Sequence, residues 1–193
     1  MTPSDHNTAT LPWWTWVAPF FLILIAKLFC IQFFYVDGFF YLYGSYVVAL
    51  PLYFMWGPRV LFGNIIAESI TSNLVGIHSF DILLIHGLAN AAKPLIGYES
   101  YKMIYRAKVL RKINTALIFL VIAILIPALL INPILIGLRV GAGDLILDTI
   151  FPRLEKQVLR DLLWGMVLCY PFLKWCTPYF KNKNLSLWPE ATF

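Results

Sequence analysis

The sequence predicts an all-α protein, a polytopic transmembrane bundle of about six helices, and three observations carry that prediction. Of 193 residues, 60% are hydrophobic and only 13% charged, with a mean hydropathy of +0.75, which is far more apolar than a soluble core of this length requires. The apolar residues gather into six segments, about 13–35, 39–56, 58–77, 81–101, 114–138 and 157–179, each near the roughly 20 residues that a spanning helix needs. Lys and Arg fall mainly in alternate connections, as in a chain threaded through a bilayer. The expected organisation is a short polar N-terminus, 1–12, an integral membrane domain, 13–180, and a short tail, 181–193.

Residues 1–12 lack the basic start and small-residue cleavage site of a secretory signal, so the first segment is expected to be retained. Trp13, Trp14 and Trp16 open it, as aromatic residues do at a membrane interface. Lys27 lies too deep in this segment to reach either interface easily and is a candidate buried cation. Segment two carries Tyr41, Tyr43, Tyr46 and Tyr53 together with Gly44, Ser45 and Ala49, which are small enough to admit a neighbouring helix. Pro51 should loosen its last turns.

Segments three and four concentrate the polar residues. Asn64, Glu68, Thr71 and Val75 recur at helical spacing and share a face, with Gly63 and Ala67 beside them. After the GIHSF break, His86, Asn90, Lys93 and Gly97 repeat the pattern, so two antiparallel helices would present facing polar stripes. A charge at the bilayer centre costs about 2.5 to 3.5 kcal/mol even on the lenient scale, so Glu68 and Lys93 each need a partner. At about 1.5 Å per residue the two fall at similar depth, roughly 13 Å, and are expected to pair. Lys27 with Glu68 is the alternative, offset by roughly 7 Å by the same count. Asn73 joins this polar core at the depth of Lys27 and His86.

Segment five is almost wholly aliphatic but for Pro127, Asn132 and Pro133, and a kink is expected there, its freed carbonyls satisfied by neighbours such as Asn132. The run from Val140 to Asp161 reads as a short amphipathic helix on the outer surface, with Asp144 and Asp148 as solvated charges. Segment six begins at Arg160 and Asp161, with Gly165 as a packing point and Pro171 breaking its far half. Asp161 is expected to reach Arg160 or Lys156, or to face a vestibule.

Arg59, the Lys102–Lys112 cluster, Lys181 and Lys183 lie on one side, whereas the VDGF and GIHSFD turns carry no Lys or Arg, so both termini are expected to be cytoplasmic. The net charge of +5 therefore serves topology, and no nucleic-acid partner is expected. Cys30, Cys169 and Cys176 show no metal-ligand spacing and read as small buried hydrophobes. His86 is one turn from Asn90, but no nucleophile, metal set or second acid stands at a diagnostic spacing, so neither an enzyme nor a cofactor is expected.

Three stretches, GPRVLFGNIIAESITSNL, HGLANAAKPLIGYESYK and RDLLWGMVLCYPFLKW, together resemble landmarks of the membrane-associated sensor (MASE) domains of the first class. Gly57, Arg59, Gly63 and Asn73 are similar to the first landmark, Gly87, Asn90, Leu95 and Gly97 to the second, and Asp161, Gly165, Leu168 and Pro171 to the third. The resemblance covers about residues 40–178. It implies a bacterial inner-membrane bundle that perceives a signal or a membrane partner and is usually joined to a kinase or cyclase output domain. This chain departs from the pattern at LYGSYVVALP, which stands where the family has a Trp-Pro-Pro-Gly entry, at Arg160, which replaces a glycine, in its six spans rather than about eight, and in the expectation of no output domain after Phe180.

The sequence thus supports a non-enzymatic membrane sensor or interaction module that binds a small ligand or membrane partner in its polar core and relays to a cytoplasmic signalling protein. The alternative is a substrate-binding subunit or small transporter for a small solute, with Lys27, Glu68, His86 and Lys93 lining the pocket.

Overall fold

The computed structural model describes residues 11–75, 80–106, 115–141, 143, 145–183 and 185–186, and nearly all of them are helical. A 3₁₀ turn, Trp13–Trp16, leads into α1 (Ala18–Phe34). A hairpin of β1 (Tyr35–Val36) and β2 (Phe39–Phe40) turns the chain into α2 (Gly44–Trp56). A second 3₁₀ turn, Gly57–Arg59, precedes α3 (Val60–Leu74), and α4 (Phe80–Arg106) follows. Next, α5 (Thr115–Ile118), a π-helical stretch (Phe119–Leu125) and α6 (Ile126–Gly141) run as one rod. So do α7 (Ile150–Trp164), a second π-helical stretch (Gly165–Cys169) and α8 (Tyr170–Asn182). The fold class is all-α, and each apolar segment of the sequence contains helix. The rod Thr115–Gly141 is long and apolar enough to cross a membrane, while Ala18–Phe34 is a shorter apolar helix.

Small residues set the packing. A Cβ on Gly44 would stand 2.7 Å from the Ala26 carbonyl, and one on Gly63 would stand 2.7 Å from the Phe20 nitrogen. Side chains there would push α2 and α3 off α1, so these glycines hold the three helices at close approach. α3 also packs on α4, α4 on α2 and α6, and α6 on α7. Near the Arg59 end the core is aromatic, with Phe54 ringed by Tyr98, Tyr101 and Phe119 at centroid separations of 5.4–5.7 Å.

The prolines leave carbonyls that side chains repair. Pro127 has no N–H to return to Ala123, four residues back, and the Ala123 carbonyl accepts from the Tyr46 hydroxyl at 3.3 Å. Pro51 likewise frees the Val47 carbonyl, which the Cys169 thiol meets at 3.4 Å. This corrects the expectation for Asn132, whose side chain is engaged with Lys93 and Asp161 instead. A second correction concerns the amphipathic run before Asp161. It is not a separate surface helix but the first half of the last rod, and its polar residues Arg153, Gln157 and Arg160 turn toward the hairpin and the cavity below it. Asp148 is exposed, whereas Asp144, the GIHS break, the basic residues 108–112 and the ends 1–10 and 187–193 lie outside the described residues.

Candidate functional site

Four of the charged residues picked out in the sequence are buried, and they form two ion pairs. Lys27 Nζ lies 2.5 Å from Glu68 Oε2, and Lys93 Nζ lies 2.7 Å from Asp161 Oδ2, with all four residues at most 1% exposed. The pairing differs from the expected Glu68 with Lys93, and helix starts explain why. Lys27 is nine residues into α1, which begins at Ala18 rather than at Trp13, and Glu68 is eight residues into α3. At about 1.5 Å per residue these heights differ by only ~1.5 Å. Lys93 is too far along α4, because Gly87 abuts Ser69 of α3 and Lys93 stands six residues, about 9 Å, beyond it.

Tyr43, at the entry to α2, connects the pairs. Its hydroxyl donates to Glu68 Oε2 at 2.8 Å and accepts from Lys27 at 3.1 Å. Its ring centroid lies 4.5 Å from Lys27 Nζ, 5.2 Å from Lys93 Nζ and 4.9 Å from the Arg160 guanidinium carbon. An aromatic face attracts cations, so the ring separates three positive groups while favouring each of them. Asp161 is the more heavily engaged carboxylate. Its Oδ2 accepts from Lys93 and, at 3.1 Å, from Asn132, while its Oδ1 accepts from Arg160 Nη2 at 2.8 Å and Nε at 3.0 Å.

The hairpin roofs this cluster. Asp37 and Gly38 have φ of 51° and 73° between strands paired Tyr35↔Phe40 and Val36↔Phe39, which is the two-residue turn that an Asp-Gly step favours. Arg139 of α6 and Arg153 of α7 both donate to the Gly38 carbonyl at 3.2 Å. Arg160 donates to Phe40 O at 3.2 Å, and Trp164 Nε1 to Tyr41 O at 2.7 Å. Under the hairpin lies a cavity of about 60 Å³, with Lys27, Tyr43, Lys93, His86, Asn90, Asn132, Arg139 and Arg160 among its lining residues.

His86 is held from two sides. Asn90 Nδ2 sits 3.0 Å from both the His86 carbonyl oxygen and His86 Nδ1, and Ser72 Oγ lies 2.8 Å from the same ring nitrogen, which ties α3 to α4.

Of the eight residues singled out in the sequence, Lys27, His86, Asn90 and Lys93 line the cavity, and Glu68 and Asp161 back its lysines. Asn64 and Asn73 do not line it. Asn64 is buried beside Tyr53, and Asn73 lies on an exposed face of α3. Tyr43, Asn132, Arg139 and Arg160 were missed as site residues. The Asp37-Gly38 step was the sequence signal available, because a hairpin there brings β2 and Tyr43 back over Lys27. Among the described residues no group of His, Cys, Asp and Glu could hold a metal ion, and the three cysteines are unpaired thiols. No family model, no curated protein and no solved structure matches the chain.

Proposed function

We propose that the chain is a non-enzymatic, six-span membrane module of the bacterial inner membrane, with both termini cytoplasmic, that binds a small ligand under the hairpin and relays its presence to a membrane or cytoplasmic signalling partner. The observation that carries this reading is that Lys27 and Lys93, each paired with a carboxylate on another helix, also share one cavity. Ionisable groups from separate apolar helices brought to one polar cavity are the arrangement in which such residues serve a ligand as well as helix register. The relay has a mechanical route, because Arg153, Arg160 and Trp164 of α7 hold the hairpin, and α7 continues through its π-helical stretch into α8. The resemblance to MASE domains agrees with such a role. A transport subunit would use the same cavity, since Lys27, His86 and Lys93 all line it.

Native mass spectrometry of the protein released from lipid nanodiscs tests the reading. Wild type is expected to carry one small solute or one tightly held lipid, and the doubly neutral variant Lys27→Met with Glu68→Gln is expected to fold and to have lost it. A wild-type protein released without either, and unchanged in stability by added small molecules, would count against a ligand-binding role.

A further inference from the structure

The charges around the cavity do not balance. Lys27, Lys93 and Arg160 face two carboxylates, Glu68 and Asp161, so this cluster of five holds one positive charge in excess. Neither carboxylate lines the cavity, whereas these three cations and a fourth, Arg139, do. Asp161 has both oxygens engaged and cannot serve the cavity as an acceptor. From the α4 side, His86 lines the cavity with its Nδ1 already beside Asn90 and Ser72, which leaves Nε2 as the ring nitrogen that can serve a ligand. The walls thus place cationic groups from α1, α4, α6 and α7 around one space with excess positive charge. A buried charge without a counter-charge is costly, and a bound anion removes that cost.

Resting on the ligand-binding reading above, we infer that the cavity is a site for one small oxyanion, either a short-chain carboxylate or a phosphate group. Two features select this class over a halide. Lys27, Lys93, Arg160 and His86 approach from three helices, so an anion with two or more oxygens spans more of the distance between the walls than a single-atom halide does. The volume of about 60 Å³ corresponds to roughly four to six waters, which bounds the ligand to a few heavy atoms or to the phosphate of a larger molecule. The source of a phosphate is either a free ion or a lipid headgroup, and both offer the same chemistry to these donors.

The test is thermal unfolding of the full chain in phosphatidylcholine nanodiscs, titrated with potassium acetate, inorganic phosphate, potassium chloride, choline chloride or glycerol at matched ionic strength. Acetate or phosphate is expected to raise the midpoint saturably, with chloride ineffective. His86→Phe should raise the half-saturating concentration about tenfold, the loss of one hydrogen bond to a charged ligand, whereas His86→Gln, which keeps a donor, should bind within a few-fold of wild type. A rise on adding phosphatidylglycerol to the discs, with none from free anions and the same loss in His86→Phe, assigns the headgroup as the source. Equal stabilisation by chloride overturns the oxyanion assignment. Saturation by choline or glycerol alone overturns the anion but leaves the ligand-binding reading standing. Saturation by none of the probes, lipid included, removes both.

Discussion

The two buried ion pairs invite comparison, because they are equally shielded from solvent and yet differently built. Lys27 and Glu68 form a balanced pair, one cation to one carboxylate, closed by the Tyr43 hydroxyl. Asp161 instead gathers Lys93, Arg160 and Asn132, two cations and an amide on one carboxylate. A balanced pair needs nothing more and suits a fixed helix contact, whereas a carboxylate facing two cations leaves positive charge over and borders the cavity with it. The difference suggests a division of labour. The first pair fixes α1 against α3 while leaving Lys27 on the cavity wall, and the second adds the unbalanced charge of the site.

That contrast is broken most directly by removing each carboxylate in turn. Truncating one partner of a buried pair costs about 3 to 5 kcal/mol, because the other charge stays behind. Asp161→Asn strands two cations, Glu68→Gln strands one that keeps the Tyr43 oxygen, so Asp161→Asn should fall at or above the top of that range and Glu68→Gln near its bottom. Folded yield in detergent and the denaturation midpoint read the order. If Glu68→Gln is the more damaging, the first pair is not the self-contained one.

How far the sequence foretold this arrangement depends on the kind of information involved. Helical segments were legible because apolar runs are long and uninterrupted, and the burial of Lys27, Glu68 and Lys93 followed from the cost of leaving such charges in lipid, whereas Asp161 meets Arg160 as expected but is buried with Lys93 as well. Partnership was not legible, because it depends on helix starts and register. A shift from Trp13 to Ala18 as the first α-helical region moves Lys27 by about 7 Å relative to Glu68. The grip of α6 and α7 on the hairpin escaped notice for another reason. Arg139 and Arg153 engage a backbone carbonyl of the hairpin, and no pattern of residue types announces such an acceptor.

Double-mutant cycles sharpen the comparison further. Residues in direct contact show coupling of about 0.5 to 3 kcal/mol, and distant ones add within ~0.5 kcal/mol. Coupling is expected between positions 27 and 68 and between 93 and 161, and weaker coupling between 68 and 93, which share only Tyr43 as a neighbour. The neutral pair Lys27→Met with Glu68→Gln should recover most of the stability lost by either single change. Lys93→Met with Asp161→Asn should recover less, since Arg160 then loses its carboxylate. Strong coupling between 68 and 93 would restore the pairing that helix rise alone suggested.

The smallest expected effect isolates the element common to both pairs. Tyr43→Phe removes one hydroxyl and leaves the ring between Lys27, Lys93 and Arg160, so the cation–π contacts persist while Glu68 loses a donor and Lys27 an acceptor. A hydrogen bond to a charged group contributes about 1.5 to 3 kcal/mol. Because Lys27 still neutralises Glu68 at 2.5 Å, the loss should sit at the low end of that range. Tyr43→Leu, which deletes the ring as well, should cost more by the cation–π contribution, about 0.5 to 2 kcal/mol for a desolvated cation. If the ring insulates the two pairs, Tyr43→Leu should also raise the coupling between positions 27 and 93, two like charges then separated by less favourable material, while Tyr43→Phe leaves it unchanged. Equal stability and equal coupling in the two variants would reduce Tyr43 to a hydrogen-bond donor for Glu68 and leave the pairs independent of each other.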